Sequence, residues 1–143
     1  MKKIALWIGC NPSTADAEYN DPTIIREINF TKMFGCNCYI KMNVLDYRAT
    51  NPKNLPIDNA RSKYNFDNIC NEVEQLEDDD LVIFAHGNPP SKDHVLDFKR
   101  IYLYVREIHP DIISCLGTTK AGWAKHSLYL RKDTKLIPYE MHR

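Results

Sequence analysis

The sequence predicts an α/β fold: a three-layer α/β/α sandwich with a four-stranded parallel central sheet, in one domain over residues 1–143. Three observations predict it. Short apolar runs alternate with longer amphipathic stretches in the order β-α-β-α-β-α-β. The apolar runs are continuous rather than alternating, the pattern of strands covered on both faces. A chain of 143 residues, 43% hydrophobic and 27% charged, suits one soluble domain.

Taken in order, residues 3–9 (Lys-Ile-Ala-Leu-Trp-Ile-Gly) read as a buried strand. Lys2 and Lys3 before the apolar run resemble the start of a secretory leader, but the run is short and Asn11-Pro12 follows, so a strand is the better reading. Residues 10–20 are loop. Asp21-Pro22-Thr23 marks a helix start, with Asp21 as N-cap and Pro22 in the first helical position. That helix runs to Met33 or Phe34 and stops at Gly35. Residues 38–45 form the second strand, and the loop over 46–58 holds Pro52 and Pro56. A second helix fits 59–76 through Tyr64, Ile69, Val73 and Leu76. Residues 80–86 form the third strand, and Asn88-Pro-Pro breaks the chain after it. A third helix fits 92–108, with Val95, Phe98, Ile101, Tyr102, Val105 and Ile108 at helical spacing. Residues 111–116 form the fourth strand, ended by Gly117, and the tail from 118 to 143 is less regular.

Composition excludes several classes. Lys plus Arg equals Asp plus Glu at 19 each, so there is no strongly basic nucleic-acid coat. No apolar stretch approaches the roughly 20 residues of a membrane span. Acids cluster at Glu72, Glu74 and Glu77–Asp80, while Lys120, Lys125, Arg131, Lys132, Lys135 and Arg143 make the tail basic. The five cysteines (Cys10, Cys36, Cys38, Cys70, Cys115) include no Cys-x-x-Cys pair, so no metal site is expected. They predict buried free thiols in a reducing, cytoplasmic setting.

Right-handed crossovers place all the strand carboxyl ends along one edge, where such folds bind ligands. Gly9, Cys10, Asn11, Pro12, Ser13, Thr14 and Asp16 follow the first strand, with Tyr19 further on. Asn43, Tyr47 and Arg48 follow the second, His86 the third, and Gly117, Thr119, Lys120 and then His126 the fourth. An asparagine offers a donor and an acceptor, which suits a nucleobase edge. Hydroxyls, backbone amides, Arg48 and Lys120 suit phosphate, and Tyr19, Tyr47 or Phe34 can stack on a base. Each also has a plainer reading: Asn11-Pro12 as a turn, Asn43 as a strand-end cap, His86 as a core histidine, His126 as a surface one.

Asn11-Pro-Ser-Thr-Ala-Asp16, Asp21-Pro-Thr23, Asn43 with Tyr47-Arg-Ala-Thr50, Leu116-Gly117 with Thr119, and His126 with Leu128-Tyr-Leu130 resemble a bacterial and phage family of unknown function. Its signatures are Asn-Pro-Ser-Thr-Ala-Asp and His-Pro-Leu-Tyr-Leu; here Ser127 stands in place of the proline. More distantly, the pattern resembles the uracil-DNA glycosylase superfamily. Gly9-Cys-Asn-Pro-Ser13 is similar to the Gly-Ile-Asn-Pro-Gly motif of its mismatch-specific branch, and Leu81–Gly87 to an apolar strand ending in Trp-Gly. His126–Leu130 is similar to a degenerate His-Pro-Ser-Pro-Leu-Ser loop without its Ser-Pro-Leu-Ser ending, and Ser13 replaces a glycine.

The resemblance implies a glycosylase-like fold and hydrolysis of an N-glycosidic bond. Asn11 would orient the attacking water, with Asp16 or Asp21 as base. His126 would stabilise the departing base and Asn43 would read its edge. Gly9, Cys10, Pro12, Ser13, Thr14, Tyr19, Tyr47, Arg48, His86, Gly117, Thr119 and Lys120 would line the substrate site. The implied ligand is a nucleobase, nucleotide or nucleic acid, with no cofactor, no metal and no membrane. Two rivals stay open: a non-catalytic nucleotide or nucleic-acid binder on the same fold, and a protein-recognition domain using the acidic cluster. Cys10 as a nucleophile is a further idea, against which a buried thiol is the plainer reading.

Overall fold

The computed structural model describes residues 1–12, 21–48, 55–56 and 60–141. In chain order the elements are β1 (Ile4–Gly9), α1 (Pro22–Met33), β2 (Cys38–Asn43), α2 (Asn65–Glu74), β3 (Leu81–Phe84), α3 (Val95–Ile108), β4 (Ile113–Cys115) and β5 (Ile137–Pro138). The sheet order is β2-β1-β3-β4-β5. β1 runs parallel to β2 and β3, and β3 parallel to β4.

Alternation along the strands supplies both faces. Leu6 and Ile8 of β1 and Val82 and Phe84 of β3 join Ile69 and Val73 of α2 and Phe98, Ile101, Tyr102 and Val105 of α3 in one apolar cluster. Ala5, Trp7 and Ile83 point the other way, to Phe30 of α1. The indole N–H of Trp7 donates to Thr31 Oγ1 on α1 (2.8 Å). Each fully buried side chain of this size contributes roughly 1.5–3 kcal/mol. Helices therefore cover both faces of the sheet, giving three layers.

α1 begins as its sequence predicts: Asp21 Oδ1 accepts from the Thr23 and Ile24 N–H groups (2.9 and 3.3 Å), and Pro22 opens the first turn. Gly35 follows its last turn at φ 82°, a conformation that costs glycine little. A single 3₁₀ turn, Lys92–His94, precedes α3. The strands are shorter than their apolar runs, and α2 begins at Asn65.

One expectation is corrected: the sheet has five strands rather than four, the fifth antiparallel. β5 lies against β4 with Ser114 opposite Pro138 and Cys115 opposite Ile137. It covers the outer edge of β4, and the Tyr139 side chain buries itself under that edge. Asp80 is also buried, accepting from the Ile4 and Glu77 N–H groups (both 2.8 Å). It therefore closes the amino edge of the sheet, and the acidic cluster lies at the end opposite the strand carboxyl termini. No helix among the described residues is long and apolar enough to cross a membrane.

Candidate functional site

The sheet order reverses at β1: the chain steps to β2 on one side, then returns to β3 on the other. In open parallel sheets such a switch point leaves a crevice at the strand carboxyl ends. Here Gly9-Cys10-Asn11 leaves β1 there, Asn43 ends β2, and Ala85-His86-Gly87 leaves β3. The loop carrying His126 is tied to the same edge. Gly87 N–H donates to the Ala124 carbonyl (2.8 Å) and Lys125 N–H to the Gly117 carbonyl (2.9 Å).

Gly9 is the floor of this arrangement. A Cβ at Gly9 would lie 2.7 Å from both Asn43 Oδ1 and Lys41 Nζ, so the absent side chain lets these two groups lie over the backbone. Asn43 is opposite Gly9 in register. Its backbone carbonyl accepts from Asn65 Nδ2 (2.8 Å), which ties the end of β2 to α2. Its side-chain Oδ1 is buried and has no hydrogen-bond partner among the described residues.

Asn11 is half-buried, and its Nδ2 donates to the Pro12 and Tyr47 carbonyls (3.1 and 3.4 Å). The loops after β1 and β2 are thereby held together. Tyr47 and Arg48 are exposed beside it. Cys10 is buried in the core cluster, and burial pushes its thiol up to about 12 despite the Lys41 cation, which disfavours the thiolate a nucleophile needs. All five cysteines are free.

The two histidines hold different protons. His86 is 3% exposed. Its Nδ1 lies 2.6 Å from the Gly87 carbonyl, which can only accept, so Nδ1 carries the hydrogen and Nε2 is a bare acceptor. Burial holds its pKa down to about 4, so the ring is neutral near pH 7. His126 is exposed, and its Nδ1 accepts from the Leu128 N–H (3.1 Å), which puts the hydrogen of the neutral ring on Nε2. Crowding by surrounding protein, then the Lys41 cation, lowers its pKa against the opposite pull of Glu27 and Asp21.

Thr119 is committed to its own turn: its hydroxyl donates to Asn88 Oδ1 (2.7 Å) and accepts from the Trp123 N–H (3.2 Å). Lys120 is exposed on that turn. Gly117 has φ 125°, with Lys125 packed over it. The sequence-based assignments to Ser13, Thr14, Asp16 and Tyr19 lie outside the described residues. Among the described residues no group of three or more His, Cys, Asp or Glu side chains is placed to hold a metal.

Sequence reasoning missed the most strongly bonded group at this edge. Glu27 of α1 is fully buried. Its Oε1 accepts from Tyr39 Oη and Lys41 Nζ (both 2.8 Å), and its Oε2 from Lys41 Nζ (3.0 Å) and Ser127 Oγ (2.7 Å). Arg26 Nε donates to the Ser127 carbonyl (3.2 Å). Consecutive residues of α1 thus grip Ser127 by side chain and backbone, which fixes the segment bearing His126, while the same carboxylate aims Lys41 over Gly9. A signal was present: Glu27 shares the core-facing stripe of α1 with Phe30 and Thr31, and Lys41 interrupts the apolar run of β2.

The family model described as "Protein of unknown function (DUF1643)" matches residues 1–128. Searches of curated proteins and of solved structures find no significant match.

Proposed function

We propose that this chain, which belongs to the DUF1643 family of unknown function, binds a nucleobase at the carboxyl edge of its sheet and hydrolyses the N-glycosidic bond that carries it. The observation that carries the reading is Asn43 Oδ1: a buried acceptor without a partner among the described residues, set over Gly9 at the switch point. A buried polar atom left unbonded costs about 1–3 kcal/mol, and a base edge offers the missing donor.

In the reaction, water oxygen bonds to the sugar anomeric carbon while the carbon–nitrogen bond breaks. The bonding electron pair leaves with the base, and the water proton ends on the base or its surroundings. Asn11 is assigned to the water, in an amide orientation set by Pro12 and Tyr47. His126 donates from Nε2 to the developing base anion, a role its tautomer suits. An asparagine is no strong base, and Asp16, which follows Asn11 in sequence and lies outside the described residues, is the candidate for that role.

Non-catalytic binding is the second reading, favoured by one observation. Glu27, the buried carboxylate of the edge, is saturated by three donors, and Asp21 caps α1. Neither is set to activate water.

Mass-spectrometric detection of free base tests the proposal, using nucleotides and single- and double-stranded DNA with normal and modified bases. Release by the wild type that falls roughly 100-fold or more in Asn11→Ala is the expected result. Asn11→Ala turning over at the wild-type rate overturns the assignment. No release from any substrate, with ligand-dependent stabilisation retained, leaves a binder.

A further inference from the structure

Lys41 brings a cation to the carboxyl edge along the sheet face. In register it stands opposite Trp7, two residues short of the Gly9–Asn43 row. Its side chain nevertheless carries Nζ to 2.7 Å from the point where a Cβ on Gly9 would lie, and Asn43 Oδ1 is 2.7 Å from the same point. The ammonium therefore lies beside the amide, over the end of β1. We infer that Lys41 hydrogen-bonds the bound base and that the site holds that base as an anion, the form in which it leaves the sugar. The inference rests on the nucleobase reading of the site and adds a catalytic residue to it.

An ammonium has three hydrogens to donate. Glu27 takes Nζ at both carboxylate oxygens (2.8 and 3.0 Å), and no other acceptor among the described residues bonds it. At least one N–H is thus left for a ligand. Glu27 is itself anchored, since Oε1 accepts from Tyr39 and Oε2 from Ser127, so it fixes the ammonium in place. The Lys41 side chain is 18% exposed, so water screens its charge only in part. Neighbouring groups register the field. At Cys10, His86 and His126 burial has the largest influence, and the Lys41 cation also favours the thiolate and disfavours the protonated rings.

Cleavage leaves the electron pair of the carbon–nitrogen bond on the base. The neutral ring of His126 offers that charge a dipole. Lys41 offers it a full positive charge already in position, with no reorganisation as the bond breaks. Lys41 gives a hydrogen bond and keeps its protons, so the water proton passes to the general base and the leaving group stays anionic.

Free bases are the products of this reaction, and two series graded in acidity test the inference. One is uracil, 5-fluorouracil and 5-nitrouracil; the other is hypoxanthine, xanthine and uric acid. Near neutral pH the last member of each is largely an anion and the first is neutral. In thermal-shift titrations of the wild type, the anion of at least one series is expected to bind about tenfold or more tighter than its neutral member, the scale of one charge-assisted hydrogen bond. Lys41→Met is expected to remove that preference while the neutral base stays within about threefold of its wild-type affinity. The double variant Glu27→Gln/Lys41→Met repeats the test without a stranded carboxylate. A lysine that only supported the fold would weaken acidic and neutral bases alike. His126→Ala is expected to keep the preference, since the charge belongs to Lys41.

Equal affinity for the acidic and neutral members of both series overturns the inference. So does a preference that survives in both Lys41 variants, one abolished by His126→Ala, or no binding of any of these bases. Base release that Asn11→Ala removes, with no preference for acidic bases, would sustain the hydrolase reading while overturning this one. A Lys41-dependent preference without release from any substrate would sustain the anion site and overturn the hydrolase reading.

Discussion

Removing the negative charge of Glu27 is the sharpest probe of how the site is built. The carboxylate is fully buried and accepts from Tyr39, Lys41 and Ser127 at 2.7–3.0 Å, while the Lys41 side chain is 18% exposed. Glu27→Gln keeps the volume but puts an NH₂ where one oxygen accepted, so at least one donor loses its partner. It also leaves the Lys41 ammonium largely buried without a counter-charge. Breaking a buried pair from one side costs about 3–5 kcal/mol. Lys41→Met strands the carboxylate instead, but Tyr39 and Ser127 still hydrogen-bond it, so its cost falls at the lower end of that range. Because the two residues share one interaction, the double variant should be less damaged than the sum of the singles by about 1–3 kcal/mol. Urea denaturation followed by tryptophan fluorescence measures all three, since Trp7 bonds Thr31 on the same helix. A loss below about 1 kcal/mol in Glu27→Gln, or strict additivity in the double variant, refutes the argument that this carboxylate organises the edge.

Two further expectations follow from the same residues. His86 has its pKa lowered to about 4, so between there and its ordinary value of 6.5 the unfolded chain binds more protons than the folded one. Stability should therefore rise with pH across that window, by roughly 3 kcal/mol in full; urea midpoints from pH 4 to 7 should fall more steeply with acid in the wild type than in His86→Phe, and parallel slopes would contradict the assignment. Gly9→Ala should cost about 1–3 kcal/mol, because its methyl would lie 2.7 Å from Asn43 Oδ1 and from a Lys41 Nζ held by Glu27; an unchanged urea midpoint would show that neither group is fixed over Gly9.

The layered fold was legible because its signals are local. Asp21-Pro22 starts α1 and Gly35 follows its end, and continuous apolar runs mark β1 and β3. β5 was not legible. It has two residues, one a proline, and no alternation can register in so short a run. It pairs because β4 offers an open edge and Tyr139 has a place to bury, facts that belong to the tertiary structure. The shortened strands have a similar origin, since residues after Asn43 and Phe84 stay apolar while the chain turns out of the ladder.

The site divides along the same line. Its strand-end residues were legible once the parallel order was predicted, because topology alone brings Gly9, Asn43 and His86 to one edge. Their protonation was not, since it depends on which backbone group each ring meets: Gly87 for His86, Leu128 for His126. Glu27 and Lys41 carried a sequence signal, but opposite charges in an α1 stripe and a β2 run point to each other only when the helix packs on that strand. Ser127 carries the argument further. Its hydroxyl donates to the buried carboxylate of Glu27 at 2.7 Å. The segment bearing His126 is thereby fastened to α1 by a bond that a proline at this position would not make. Its orientation over the edge should thus depend on Glu27, a residue that need not touch the ligand at all.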